Sequence, residues 1–245
     1  MRTLSVPALI LAALLVPASI IRADDRSDAL AIVDDAIKAH GGADALAKAQ
    51  AYTRKGSGSV KPLDKELPLV EELTVSLPDR MRLASEIDKT ARVLIVLNGD
   101  KGWQSTGGPA SEISGLRLKE VADEASIYWL ATLLPLKNDS FTLKPLPEKK
   151  VNDKPVVGIS ASAKGRPDVR MYFDKASHLL VKIEREAVLG GLKVDKDYQF
   201  SDYKDVDGVK LPGRQTDYLN GKKVSEVSVS SYNVHKPDDA TFAKP

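Results

Sequence analysis

Apolar residues recur with a period of two in a series of short runs, and this alternation constrains the fold more than any other feature of the chain. The runs are Leu73-Val75-Leu77, Met81-Leu83-Ile87, Val93-Ile95-Leu97, Val157-Ile159-Ala161, Val169-Met171-Phe173, Leu179-Val181-Ile183 and Val227-Val229. Successive side chains of a strand point to opposite faces, so each run describes a strand with one buried face. The runs follow one another too closely for crossover helices, and the sheet should therefore be antiparallel and meandering. Asn98-Gly99, Asp207-Gly208 and Asn220-Gly221 fall between runs and tolerate the positive φ of tight hairpin turns. Asp205-Val206-Asp207-Gly208 resembles the start of a calcium loop, but the position that would need a bidentate Glu is Thr216, so a hairpin is the better reading.

Two stretches have helical spacing instead. In the first, Leu30, Val33, Ala36 and Ile37 repeat at helical intervals behind a Ser27 cap; acids precede it, Lys38 and His40 end it, and Gly41-Gly42 stops it. A short Ala-rich turn, Ala43 to Gln50, follows. The second runs from about Leu116 to Leu134, with Leu118, Val121, Ala125, Tyr128, Trp129 and Leu133 on one side and Pro135 closing it. Its latter half is apolar nearly all round, which predicts burial against the sheet.

Residues 1–23 read as an export signal: Met1-Arg2 is a short positive start, Ala8 to Val16 an apolar core, and Ile21-Arg22-Ala23 a cleavage site ahead of Asp24. Removing 23 of 245 residues leaves 222, the size of one large domain, and no linker or repeat divides 24–245. The segment holds two of the 36 basic residues and none of the 34 acidic ones, so the mature chain carries 34 of each and does not resemble a nucleic-acid binder. There is no cysteine, which excludes disulfides, thiol nucleophiles, thiolate metal sites and a lipid-modified cysteine. The expected location is exported and periplasmic, in soluble form after cleavage.

No chemistry-bearing motif emerges. His40, His178 and His235 are isolated and fit no ligand spacing, so capping or surface roles and no metal are expected. Gly56-Ser57-Gly58-Ser59 is not a nucleophile elbow, and neither a phosphate loop nor a dinucleotide fingerprint is present. Glu71-Glu72 and Asp238-Asp239 are sequence neighbours, which on a strand face opposite ways. These readings predict no enzyme and no cofactor. An apolar sheet face under an apolar helix, in a chain with only 5% aromatic residues, could enclose a cavity for an acyl chain or could pack solidly.

Several motifs resemble those of the periplasmic lipoprotein-carrier family (LolA-like) and its relatives, the outer-membrane lipoprotein-sorting proteins. They are Pro78-Asp79-Arg80-Met81-Arg82, Asn98-Gly99 with Trp103, Met171-Tyr172-Phe173-Asp174 before Leu179-Leu180-Val181-Lys182, Phe200-Ser201-Asp202-Tyr203 before Val206-Asp207-Gly208-Val209-Lys210-Leu211-Pro212, and Asp239-Ala240-Thr241-Phe242-Ala243-Lys244-Pro245. The resemblance implies a mainly antiparallel β fold, a curved open half-barrel whose concave face is covered by helices and holds acyl chains, with no catalytic residues. It implies a non-enzymatic carrier of lipid, lipoprotein acyl chains or another hydrophobic ligand, with membrane-associated partner proteins. The alternative is a structural or protein-interaction module with a solidly packed sheet. The residues expected to line the ligand cavity are Leu83, Ile95 and Leu97 on strands and Tyr128, Trp129, Leu130, Leu133 and Leu134 on the helix.

Overall fold

Backbone pairing in the computed structural model, which describes residues 23–62 and 65–245, follows the period-two runs closely. The strands are β1 (Ala51–Val60), β2 (Leu67–Ser76), β3 (Arg80–Ile87), β4 (Ala91–Asn98), β5 (Lys101–Ser105), β6 (Ser111–Ile113), β7 (Thr142–Val151) and β8 (Lys154–Ser162). They continue with β9 (Val169–Asp174), β10 (Leu180–Leu189), β11 (Leu192–Ser201), β12 (Lys204–Val206), β13 (Val209–Leu211), β14 (Arg214–Leu219) and β15 (Lys222–Val234). Among the described residues, thirteen of them form one antiparallel sheet in the order β6-β5-β4-β3-β2-β1-β15-β14-β11-β10-β9-β8-β7, while β12 and β13 make a separate hairpin. The sheet is curved and stays open, because its edges β6 and β7 do not pair. The helices are α1 (Ala23–Ala39), α2 (Ala43–Lys48) and α3 (Gly115–Ala131).

The export segment lies outside the described residues apart from Ala23, at which α1 begins. Ser27 is therefore inside the helix and not its cap; Asp25, ahead of it, is an acid that a helix N-terminus accommodates. No helix among the described residues is long and apolar enough to cross a membrane.

The expected turns form with one change of register. Asp207-Gly208 and Asn220-Gly221 each have two positive φ values, whereas the β4–β5 loop is Gly99-Asp100, between the paired Asn98 and Lys101. In β10 the strict alternation fails: a bulge between Leu180 and Lys182 puts Leu180 and Ile183 in the core, and Val181 packs on the other face beside Tyr172.

Two apolar clusters lie under the helices. The first joins α1, α2 and the end of α3 to β7–β11 through Val33, Leu46, Leu130, Leu133, Met171 and Phe173. The second joins α3 to β1–β4, β6 and β15 through Val121, Ala125, Leu73, Met81 and Leu97. On the opposite face the C-terminal turn lays Phe242 against Val96 and Trp103. The α1–α2 turn is tied down by Gly41, whose φ is +109° and where a Cβ would stand 2.0 Å from the Gly208 carbonyl oxygen. Backbone cannot yield at that distance, so Gly41→Ala is expected to destabilise the protein by about 1–3 kcal/mol and to loosen the β12–β13 hairpin. Chemical denaturation checks the cost, and unchanged stability would show that the turn does not need this approach.

Candidate functional site

The site is the space between α3 and the sheet, and α3 presents two different stripes to it. Leu118, Val121, Ala125 and Tyr128 face the cluster built on β1–β4, while Glu120 and Glu124, one turn apart, face β10 and β11. Beyond Ala131 the chain breaks into a 3₁₀ turn at Leu134–Lys137, with Leu133 at a φ of +65° just before it.

Between the two apolar clusters runs a buried charged network. Arg185, with a fully buried side chain, donates to both oxygens of Glu120 (2.7 and 3.2 Å), to Glu124 (3.4 Å) and, through Nε, to the Tyr198 hydroxyl (3.1 Å). Tyr198 in turn donates to Glu124 at 2.8 Å, and Lys196 Nζ donates to the same carboxylate at 2.6 Å. Burial opposes ionisation of Glu124, but Lys196 and Arg185 outweigh it and hold its carboxyl below the usual range. Each donor and acceptor here has a partner, the condition under which a buried ion network is tolerated.

Next to this network, α3 and the sheet leave a cavity of about 240 Å³. Its apolar wall is Met81, Leu83, Ile95, Val121, Leu189 and Val227; its polar wall includes Arg54, Glu71, Glu124, Lys196, Gln215 and Asp217. Beside this cavity, Gly56 and Gly58 let β1 approach β15 closely, since a Cβ at Gly56 would stand 2.6 Å from Val227 Cγ1 and one at Gly58 1.9 Å from the Glu226 carbonyl oxygen. A second, smaller cavity of about 50 Å³ lies on the other side of Arg54, Tyr128 and Gln215, which line both, and it reaches His40, Tyr203 and Tyr232. His40 is buried and caps α1 from behind, its Nδ1–H donating to the Ala36 carbonyl at 2.8 Å, which leaves Nε2 as an acceptor. Burial lowers its pKa, so the ring stays neutral.

The eight residues expected from the sequence are divided among three places. Leu83, Ile95 and Tyr128 line the larger cavity. Leu97 is fully buried in the cluster behind it. Trp129, Leu130, Leu133 and Leu134 belong to the other cluster, where Leu130 and Leu133 are fully buried and Trp129 lies between Arg166 and Phe141. Trp129, Leu130 and the turn beyond α3 therefore pack into the β7–β11 cluster, whereas Val121, Glu124 and Tyr128 on another side of the helix border open space.

Sequence reasoning missed the polar wall. Its signal was present: Arg185 shares the register of the buried Ile183, Arg54 that of Tyr52, and Lys196 that of Tyr198 and Phe200, so each polar residue falls on an apolar face. Glu71 and Glu72 do face opposite ways, Glu71 to Arg54 at 2.9 Å and Glu72 to Lys55 at 3.2 Å on the other side of the sheet. Among the described residues no group of His, Asp and Glu could hold a metal ion.

Asp217 is the exception among the buried acids. It accepts from Gln215 at 2.9 Å and from Ser225 at 3.0 Å, both uncharged, and burial, reinforced by Glu124, pushes its carboxyl up to about 6 from 3.8. A raised carboxyl pKa favours the folded state most below the unfolded value, and that contribution is lost as pH rises through about 6. Asp217→Asn is therefore expected to stabilise the protein at pH 8 relative to the parent, with the gain disappearing toward pH 4. Urea midpoints measured across that range check it, and a gain independent of pH would contradict the assignment.

No family model matches the sequence, and no curated protein matches it. Solved structures do. A domain from Vibrio parahaemolyticus, described as an outer membrane lipoprotein-sorting protein domain, aligns over 90% of this chain and 98% of its own with a TM-score of 0.57 at 15% identity. The LolA superfamily protein NE2245 from Nitrosomonas europaea aligns over 88% and 97% with a TM-score of 0.57 at 14% identity. A DUF1329 family protein from Desulfovibrio piger covers the same shares with a TM-score of 0.58 at 14% identity. The chain thus has the LolA-like fold, an open curved antiparallel sheet with helices packed on one face, as its motifs imply.

Proposed function

We propose that this protein is an exported, non-enzymatic carrier that shelters the apolar part of a lipid, a lipoprotein acyl chain or a comparable ligand between α3 and the sheet, in the periplasm. The observation that carries the reading is the cavity of about 240 Å³ walled by Met81, Leu83, Ile95 and Val121 between α3 and the sheet. The shared fold with a domain described by lipoprotein sorting supports it. So does the export signal read at residues 1–23. Membrane-associated partners that load or unload the carrier belong to the same proposal.

Each methylene removed from water contributes about 0.8 kcal/mol, so a short alkyl chain against this wall binds usefully without any polar contact. The test is titration of the mature protein with an uncharged apolar fluorophore such as N-phenylnaphthylamine. Saturable enhancement at one site, reversed by added lipid, is expected. Enhancement that is absent, or linear with dye, would leave the interaction-module alternative.

A further inference from the structure

One wall of the cavity is more polar than shelter for an alkyl chain requires. Across β2, β1, β14 and β15 runs a continuous chain of hydrogen bonds: Arg54 donates to Glu71 at 2.9 Å and to Gln215 at 2.8 Å, Gln215 donates to Asp217 at 2.9 Å, and Ser225 donates to the other Asp217 oxygen at 3.0 Å. Most charges along this wall are paired, and Arg117, which also lines the cavity, hydrogen-bonds to Gln104 at 3.0 Å without an acidic partner among the described residues. Glu71 matches Arg54; Glu120 and Glu124 match Arg185 and Lys196. Asp217 has no ion pair among the described residues, and it lines the cavity with an acceptor at each oxygen. A second observation points the same way. Arg54, only 4% exposed, lines the same cavity, and its Nε–H has no hydrogen-bond partner. The wall therefore offers a carboxylate outside any ion pair, whose nearest cation, Lys196, is engaged by Glu124, and, two hydrogen bonds along, a buried donor without an acceptor.

We propose that the ligand is an amphiphile with a primary ammonium head, seated against the Asp217 carboxylate, with a carbonyl or ether oxygen in reach of Arg54 and an alkyl chain along Leu83, Ile95 and Val121. The inference rests on the carrier reading and adds to it the class of head group. An ammonium supplies the missing countercharge and three donors, and a carboxylate in a partly dehydrated site rewards a cation more than it does in water. An anionic head seated there would lie against Asp217 and Glu124; of the lining cations, Arg54 and Lys196 are already paired with acids, and Arg117, an exposed residue, is hydrogen-bonded to Gln104. The groups facing Asp217 are Glu124 and Tyr128 from α3, Lys196 and Tyr198 from β11, Gln215 on its own strand and Ser225 on β15. Burial and Glu124 raise the carboxyl to about 6, so the site gains its charge between pH 5 and 7, where an alkylamine stays protonated.

The experiment displaces N-phenylnaphthylamine from the mature protein with octylamine, octanol and octanoate, which share a chain and differ in the head. At pH 8, octylamine is expected to bind roughly tenfold or more tightly than octanol, and octanoate most weakly. The preference for amine over alcohol should shrink at pH 5, and Asp217→Asn should level the two at pH 8. The parent's own head-group order tests the proposal without any variant. Equal binding of all three heads, or tightest binding of octanoate, overturns the ammonium site and leaves the carrier reading intact. Failure of every octyl compound to displace the dye overturns both.

Discussion

Arg185→Ala is expected to destabilise the protein by about 3–5 kcal/mol, the largest effect of any single substitution proposed, because it leaves Glu120 and Glu124 buried with one cation between them. The Arg185 side chain is fully buried and its guanidinium makes four hydrogen bonds, so no neighbouring solvent can take its place. The cost is one of desolvated charge and not of lost volume, and two further variants separate these. Arg185→Met keeps the volume and should be nearly as damaging. Combining it with Glu120→Leu, which leaves Lys196 paired with Glu124 at 2.6 Å, should recover a large part of the loss. Urea denaturation of the three variants measures this. If Arg185→Met proved neutral, the network would be ornament on a sheet held by packing alone.

The second large effect contrasts the close-packed cluster at the end of α3 with the wall of the larger cavity. Leu133 is fully buried among Leu130, Leu136 and Phe141 in the close-packed cluster, and Leu133→Ala is expected to cost about 2–5 kcal/mol with little change in ligand affinity. Leu83 is only partly buried and borders the cavity, so Leu83→Ala should cost about 1–2 kcal/mol and alter ligand affinity instead. The contrast is the content of the prediction. Melting curves and dye titration on the same two proteins show it, and similar behaviour of the two variants would mean that the helix has one kind of interface, not two.

How much of this was legible in the sequence follows from what each signal depends on. The strands of β2, β3, β4, β8 and β9 were readable because alternation between Leu73 and Val75, or between Met171 and Phe173, depends only on the pleat. The turns at Asp207-Gly208 and Asn220-Gly221 were readable because positive φ selects those residues locally. The bulge at Leu180 was not, since nothing local marks which residue goes unpaired. The end of α3 shows the limit of helical periodicity. In the sequence Trp129 and Leu133 continue the spacing of Leu118 and Val121, yet α3 ends at Ala131 and the sheet beneath changes to β7–β11, so both residues pack in the other core. The polar wall was hidden for another reason. Arg54, Asp217 and Lys196 become neighbours only through the pairing of β1 with β15, β15 with β14 and β14 with β11, and no spacing in the chain encodes that order. What the sequence did carry was the anomaly of charged residues in apolar register, which identifies a buried network without saying who meets whom.

The most direct test of the central claim, that a ligand is held between the first half of α3 and the sheet, is a methyl-resolved NMR titration of the mature protein with octanol, whose head is uncharged. The account predicts progressive shifts in the methyl signals of Leu83, Ile95 and Val121, which line the cavity, and signals from Leu130, Leu133 and Leu136 that stay in place. Shifts confined to the Leu130–Leu136 cluster, or no shifts at saturating octanol, would contradict it.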